Sequence, residues 1–150
     1  MKGKWWVAVI ALCCFLLIDV SALKEPEKVI IDVDTSAFVR TSFDLDDDLA
    51  VLIGLSSPEI DIVGITTTFG NANVRDTYLN AQYLLQLTGF NEKIPLLQGA
   101  EFILRGNHKP TPASSFITET LRKNPPKTIS LICLGPLSNL ASAITQDPSI

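Results

Sequence analysis

The sequence has few cysteines and histidines, the side chains that form the disulfides of small secreted domains and bind transition metals. Its 150 residues include three cysteines and one histidine. Cys13 and Cys14 lie in an apolar N-terminal segment, which leaves Cys133 alone in the rest of the chain and excludes an internal disulfide there. Zinc sites are built from several His and Cys ligands, so a zinc site is not expected. Cys133 lies in the apolar run 129–134 and is predicted to be a buried, inert thiol.

Positive charge is also scarce, and the basic residues form no cluster. Twelve Lys and Arg face sixteen Asp and Glu, for a net charge of −4, so nothing would neutralise a row of phosphates and no nucleic-acid partner is expected. Eight glycines and nine prolines are too few for collagen or a flexible linker. A hydrophobic fraction of 47% excludes a charged disordered tail. The composition therefore predicts a globular domain.

The longest apolar run, residues 5–18, is short for a transmembrane helix, because fourteen residues span about 21 Å of a hydrocarbon core about 30 Å thick. It follows Lys2 and Lys4 and precedes Val20-Ser21-Ala22. This pattern predicts a secretory signal peptide, residues 1–22, cleaved after Ala22. The prediction is a secreted protein without a stable membrane anchor, an uncleaved anchor being the alternative. Residues 23–150 would then be the globular part.

Short apolar runs alternate with helical patterns after residue 28. Strands are predicted at 29–34, 60–67, 94–97 and 128–134, and helices at 46–55, 74–87, 114–123 and 137–145. Such alternation indicates an α/β fold with an open, mainly parallel sheet and helices on both faces. Ligands of these sheets bind beyond the carboxyl ends of the strands. Asp32, Asp34, Asn71 and Gly135 lie at those ends.

Six aspartates lie within seventeen residues of one another, at positions 32, 34, 44, 46, 47 and 48. Several carboxylates near one point repel each other unless a cation lies between them. Oxygen ligands of this kind favour Ca²⁺ or Mg²⁺. Acids at positions 44–48 could alternatively stabilise only the N terminus of a helix. Helix capping does not explain Asp32 and Asp34 at the end of an apolar strand, so a metal or substrate site is preferred.

Three blocks of sequence resemble the inosine–uridine-preferring nucleoside hydrolase family, whose fingerprint is a strand ending Asp-x-Asp-Pro-Gly-x-Asp-Asp before an apolar helix. The counterpart is Val-Ile-Ile-Asp-Val-Asp at 29–34, then Asp-Asp at 46–47. Gly-Ile-Thr-Thr-Thr-Phe-Gly-Asn at 64–71 and Leu-Gly-Pro-Leu-Ser-Asn-Leu-Ala at 134–141 match two further family blocks. The resemblance implies the N-terminal portion of a nucleoside hydrolase-like domain.

The activity that the resemblance implies is calcium-dependent hydrolysis of the N-glycosidic bond of ribonucleosides, which yields ribose and free base. Asp34 matches the family's metal ligand that also acts as general base. Asp47 matches a second Ca²⁺ carboxylate, and Leu134 the position whose backbone carbonyl binds the metal. Asp46 and Asn71 match residues that contact ribose.

Asp32 resembles a supporting residue behind the metal ligands. A small ribonucleoside would be the partner, and self-association is left open. The pair Asp47-Asp48 is an alternative register to Asp46-Asp47.

The chain departs from the family pattern in three ways. The family's His-Gly segment is not recognisable, and His108, the one histidine, is expected to be a solvated loop residue rather than a contact to the leaving base. Eleven residues, 35–45, separate Asp34 from Asp46, where the family has three. The family is about twice as long, and its late His-Asp pair has no counterpart, so little turnover is expected from 150 residues alone. One alternative is therefore a secreted, non-catalytic calcium- or nucleoside-binding remnant. The other is a Mg²⁺-dependent phosphohydrolase of the haloacid-dehalogenase type, with Asp32 as nucleophile.

Overall fold

A computed structural model describes residues 25–38, 45–104 and 109–150. The predicted signal peptide, Asp44 and His108 lie outside the described residues. Strands and helices alternate along the described chain. They are β1 (Glu27–Val33), α1 (Asp46–Ser56), β2 (Ile60–Thr67), α2 (Val74–Thr88), β3 (Leu96–Gln98), α3 (Pro112–Lys123), β4 (Ser130–Cys133) and α4 (Ser138–Gln146).

The strands form one sheet in the order β3-β2-β1-β4, and every neighbouring pair is parallel. Asp32 is in register with Thr66 of β2 and Cys133 of β4. Pairing continues past the strand ends, because the Leu134 N–H donates to the Asp32 carbonyl at 2.8 Å. The carboxyl ends of β1, β2 and β4 therefore meet at one edge of the sheet, as the predicted parallel order requires.

Helices cover both faces of the sheet, which confirms the predicted architecture. Alternate side chains of β1 point to opposite faces. One face packs against α1 and α2 around a buried cluster of Val29, Ile31, Val33, Val51, Ile62, Ile65, Leu84 and Leu85. The other face packs against α3 and α4 around a smaller cluster of Ile30, Ile117 and Ala143. Asp32 is two residues after Ile30 on the same strand, so its side chain lies on this second face.

Local sequence signals explain most of the element boundaries. Gly89 ends α2 in a left-handed conformation with φ 75°, as expected of a C-terminal glycine. α3 begins at Pro112, two residues earlier than predicted, because Thr111 forms a capping box with Ser114. β3 begins only after Pro95, which has no N–H to donate to a neighbouring strand.

Cys133 is half-buried, so its prediction as a buried thiol is wrong. β4 lies at an edge of the described sheet, which leaves one side of the strand without a neighbour. Burial and the negative charge of Asp32 still raise the pKa of the Cys133 thiol to about 11. None of the helices in the described part of the chain has both the length and the apolar character needed to span a bilayer.

Candidate active site

Two carboxyl groups meet where β1 ends and α1 begins. Asp34 follows β1, and Asp47 lies in the first turn of α1. The Asp34 N–H donates to Asp47 Oδ2 at 2.9 Å, and the two carboxyl groups interact directly. Burial raises the pKa of Asp47 to about 7; the Asp34 N–H opposes this shift, and the charges of Asp34 and Asp46 reinforce it. The sequence prediction that Asp34 and Asp47 lie together therefore agrees with the geometry.

Backbone atoms surround the Asp34 carboxylate. The Asn71 N–H donates to Asp34 Oδ2 at 2.8 Å, although the Asn71 side chain is exposed. A Cβ atom at Gly70 would collide with Asp34 Oδ2. A Cβ atom at Gly135 would lie 3.1 Å from Asp34 Cγ and 2.8 Å from Thr68 Cγ2. Both positions therefore require glycine to let the loops after β2 and β4 approach Asp34 closely.

The remaining acids of the predicted cluster are separated. Asp46 is exposed, and its Oδ1 accepts from the Asp47 N–H at 2.9 Å. Asp48 is buried, and its Oδ1 accepts from Asn80 Nδ2 at 2.5 Å, while Oδ2 has no partner among the residues that the structure describes. Among the described acids, Asp34 and Asp47 form a pair with Asp46 beside it, whereas Asp48 contacts Asn80 instead. Burial of Asp47 and Asp48 also exceeds what capping acids alone would need.

The donors at the pair fit a hard cation. Asp34 and Asp47 are 6% and 5% exposed, and they offer only oxygen. A cation between them would offset the burial and the repulsion by Asp34 that together raise the pKa of Asp47. Within residues 25–38, 45–104 and 109–150, no three His, Cys, Asp or Glu side chains assemble as metal ligands. A calcium ion, which takes six to eight oxygens, would therefore also need backbone, water and substrate oxygens.

Asp32 has a different environment on the second face of the sheet. Its fully buried carboxylate accepts from Thr66 Oγ1 at 2.6 Å and from Asn139 Nδ2 at 2.8 Å, both at Oδ1. Burial raises the pKa of Asp32 to about 6, the two hydrogen bonds oppose the shift, and the charge of Asp34 adds to it. Asn139 Nδ2 also donates to the Thr67 carbonyl at 3.0 Å. Asp32 thus ties α4 to the ends of β1 and β2.

Three residues of the site were missed from the sequence: Thr66, Asn80 and Asn139. Asn80 and Asn139 are fully buried. A buried amide is almost always hydrogen-bonded, so an asparagine beside the apolar stripe of α2 was a usable signal. Asn139 lies inside the 134–141 block, where its role as the partner of Asp32 could not be read from spacing.

The sequence profile of the inosine-uridine preferring nucleoside hydrolase family matches residues 29–150. The chain belongs to this family. Uridine nucleosidase 1 from Arabidopsis thaliana is 31% identical over 152 aligned residues, which cover 85% of this chain and 42% of the relative. The non-specific ribonucleoside hydrolase RihC from Escherichia fergusonii is 31% identical over 74% of this chain and 43% of its own length.

Solved nucleoside hydrolases have the same fold. A plant nucleoside hydrolase superposes with a TM-score of 0.69 and 28% identity over 83% of this chain and 44% of its own. An inosine-guanosine nucleoside hydrolase gives 0.65 and 25%, over 81% of this chain and 43% of its own. The chain therefore spans less than half the length of these relatives. Nucleoside hydrolases bind a metal ion, and membership of the family decides against the haloacid-dehalogenase alternative.

Proposed function

We propose that the protein contributes to calcium-dependent hydrolysis of the N-glycosidic bond of ribonucleosides, releasing ribose and free base. The observation that carries the proposal is the buried Asp34–Asp47 pair at the carboxyl edge of the sheet. Two carboxylates in direct contact are costly unless a proton or a cation lies between them. The family to which the chain belongs, and the nucleosidases similar to it, support the same reaction.

The proposed roles follow the positions of the side chains. Calcium, when bound by Asp34, Asp47 and the Leu134 carbonyl, would supply positive charge that acidifies water and binds ribose hydroxyls. Asp34, whose carboxylate accepts from the Asn71 N–H, would accept the proton of the attacking water. The side chains of Asp46 and Asn71 are exposed at this edge and would contact ribose. Negative charge at this edge favours the oxocarbenium-like ribosyl centre that forms as the C–N bond breaks.

We expect the 150 residues by themselves to have little turnover, because they span 42–44% of the relatives that carry the activity by name. A non-catalytic calcium- or nucleoside-binding protein is the second candidate, and the same carboxylate pair supports it. Calcium binding without hydrolysis would favour this candidate, and free base released from uridine or inosine would favour the enzyme.

Isothermal titration calorimetry with Ca²⁺ tests the proposal directly. The protein should bind one calcium ion, and Asp34→Asn should weaken binding about a hundredfold because it removes one of the two charged ligands. Asp61→Asn is the matched control, since Asp61 is exposed and lies at the opposite end of β2. A wild-type chain that binds no calcium, or an Asp34→Asn variant that binds as the wild type does, would contradict the metal site.

We also propose that the protein is secreted, on the basis of the basic, apolar and small-residue pattern of residues 1–22. The mature protein should then begin at Leu23. Intact mass and N-terminal sequencing of the protein isolated from its source test this, and a mature chain that retains Met1 would contradict it.

Self-association is proposed through the exposed sides of α1 and α2. No charged residue occurs at positions 49–58 or 77–91, and exposed apolar side chains include Leu49, Ile53, Leu79, Tyr83 and Leu87. Surface helices of monomers normally carry charges, whereas an uncharged apolar surface is complementary to a second copy of itself.

Light scattering after size exclusion should give a dimer for the wild type and a monomer for Ile53→Glu. Ile144→Glu, an equally apolar exposed position on the other face, should leave the dimer intact. A monomeric wild type at tens of micromolar would refute this interface.

A further inference from the structure

One side of α2 contacts the chain that leaves β1. Thr35 Oγ1 donates to the Thr77 carbonyl at 3.2 Å, and the Phe38 N–H donates to Asn80 Oδ1 at 2.6 Å. The rings of Phe38 and Tyr83 lie 5.1 Å apart at a tilt of 51°. Thr77, Asn80 and Tyr83 are spaced three residues apart, so they follow one another along the same side of the helix. α2 thus fixes the chain as far as residue 38.

The same amide of Asn80 also holds the chain after it returns. Asn80 Nδ2 donates to Asp48 Oδ1 at 2.5 Å, while Asn80 Oδ1 accepts from Phe38. Asn80 is fully buried and Asp48 is 3% exposed. Since a neutral amide offers both a donor and an acceptor, one side chain joins position 38 to position 48.

This bridge spans the segment in which the chain departs from the pattern of its family. Residues 35–45 number eleven, where the family fingerprint has three, and a longer loop costs more entropy to close. Close beside the bridge, the Asp34 N–H donates to Asp47 Oδ2 at 2.9 Å. We propose that Asn80 is a positioning residue that closes the 35–45 segment and so keeps Asp34 and Asp47 side by side. Its functional consequence rests on the proposed calcium site.

Three variants separate this role from simple packing. Asn80→Ala removes both hydrogen bonds of the bridge. Asn80→Asp keeps the acceptor for the Phe38 N–H but sets a second carboxylate against Asp48. The double variant Asn80→Asp/Asp48→Asn exchanges the two groups, so that an amide again donates to a carboxylate across the same gap. Asn73→Ala is the matched control on the same helix, because it removes the N-cap of α2 without touching the 35–45 segment.

Calcium affinity and thermal stability are measured on each variant. Asn80→Ala should weaken calcium binding by about tenfold or more, as loss of groups that orient metal ligands commonly does. Asn80→Asp should weaken it further, and the double variant should recover to within about threefold of the wild type. Asn73→Ala should lower the melting temperature and leave calcium affinity unchanged. Calcium affinity that is equal in Asn80→Ala and the wild type would overturn the proposal, as would equal losses in Asn80→Ala and Asn73→Ala.

Limited trypsin digestion gives a readout that does not depend on calcium. Arg40 lies between the two ends that Asn80 joins, so in EDTA the Asn80→Ala variant should be cut after Arg40 about tenfold faster than the wild type. Cleavage after Lys28, within β1 and between two paired strands, reports global unfolding and corrects for it. Unchanged cleavage after Arg40 would overturn the role of Asn80. Faster cleavage in a protein that binds no calcium would refute only the metal site.

Discussion

Asp32 and Asp34 are two residues apart at the end of β1, yet their surroundings differ. Asp32 is fully buried and accepts from two neutral side chains, Thr66 and Asn139. Asp34 accepts from a backbone N–H and lies against a second carboxyl group, that of Asp47. Side-chain donors satisfy Oδ1 of the first carboxylate, while its buried Oδ2 accepts no hydrogen bond from the residues that the structure describes. The second is left facing another negative charge, which a cation can satisfy.

This difference indicates two roles: Asp32 supports the fold, and the Asp34–Asp47 pair is available to bind a cation. Asp32 and its donors link α4 to β1 and β2, so they set the position of the strand ends. Asp34 and Asp47 use those positions to present oxygen at the edge of the sheet. If the distinction is correct, substitutions at the two carboxylates should affect different measurements.

The largest expected effect is on calcium affinity. Asp47→Asn removes one charged ligand and should weaken calcium binding about a hundredfold, because affinity depends on the number of charged oxygens. Asp32→Asn should change it by less than about threefold, since the amide oxygen still accepts from Thr66 and Asn139. Calorimetric titration of both variants gives the ratio. Equal losses in the two would erase the distinction between support and binding.

Substitutions at two glycines, one beside Asn139 and one beside Asp34, test the same comparison through the free energy of unfolding. A Cβ atom at Gly99 would collide with the Asn139 amide and lie 2.5 Å from the Thr67 carbonyl oxygen. Because that oxygen belongs to a paired strand, Gly99→Ala should lower the free energy of unfolding by about 3 kcal/mol. At Gly70 the φ of 156° adds backbone strain, but the three atoms nearest to a Cβ all belong to the Asp34 side chain, so Gly70→Ala should cost less stability than Gly99→Ala and weaken calcium binding.

Urea unfolding in EDTA ranks the two variants, and calcium titration of the folded protein completes the test. Gly89→Ala serves as the control, since its Cβ atom would meet nothing within 4 Å and only the left-handed φ of 75° is strained. A larger stability loss in Gly70→Ala than in Gly99→Ala would contradict the view that the surroundings of Asp32 support the fold more than those of Asp34 do.

Most of the fold followed from local patterns, because each strand and helix carries its own hydrophobic period and end signals. The meeting of Asp34 with Asp47 was likewise predicted from the family motif, despite eleven residues between Asp34 and Asp46. The hydrogen bonds that hold these acids in position were not predicted from the sequence. Asn139 contacts Asp32 across 107 positions, and Asn80 contacts Asp48 across 32. No periodicity reports which buried amide meets which carboxylate, since that depends on the tertiary arrangement.

The contact of Asp48 with Asn80 is a second example of an interaction that local sequence patterns do not predict. In the sequence it is the third of three consecutive acids, and spacing alone left Asp47-Asp48 as an alternative pair. Because successive residues of a helix are rotated by about 100°, the Asp48 side chain points away from that of Asp47 and toward α2. There Asn80 Nδ2 donates a hydrogen bond to it. Which of these acids meets Asp34 is therefore a property of how α1 packs, which the local sequence does not specify.

The smallest expected effect is on the pH dependence of stability. Burial raises the pKa of Asp32 from 3.8 to about 6, so the folded protein binds this proton more tightly than the unfolded chain does. Ionisation of Asp32 therefore destabilises the fold as pH rises from about 4 to about 6, by about 2 kcal/mol, and the loss is complete above that range. Asp32→Asn carries no such proton. In EDTA, the wild type should lose about 2 kcal/mol more than Asp32→Asn between pH 4 and pH 7.5. Parallel stability curves for the two proteins would show that Thr66 and Asn139 compensate the buried charge fully.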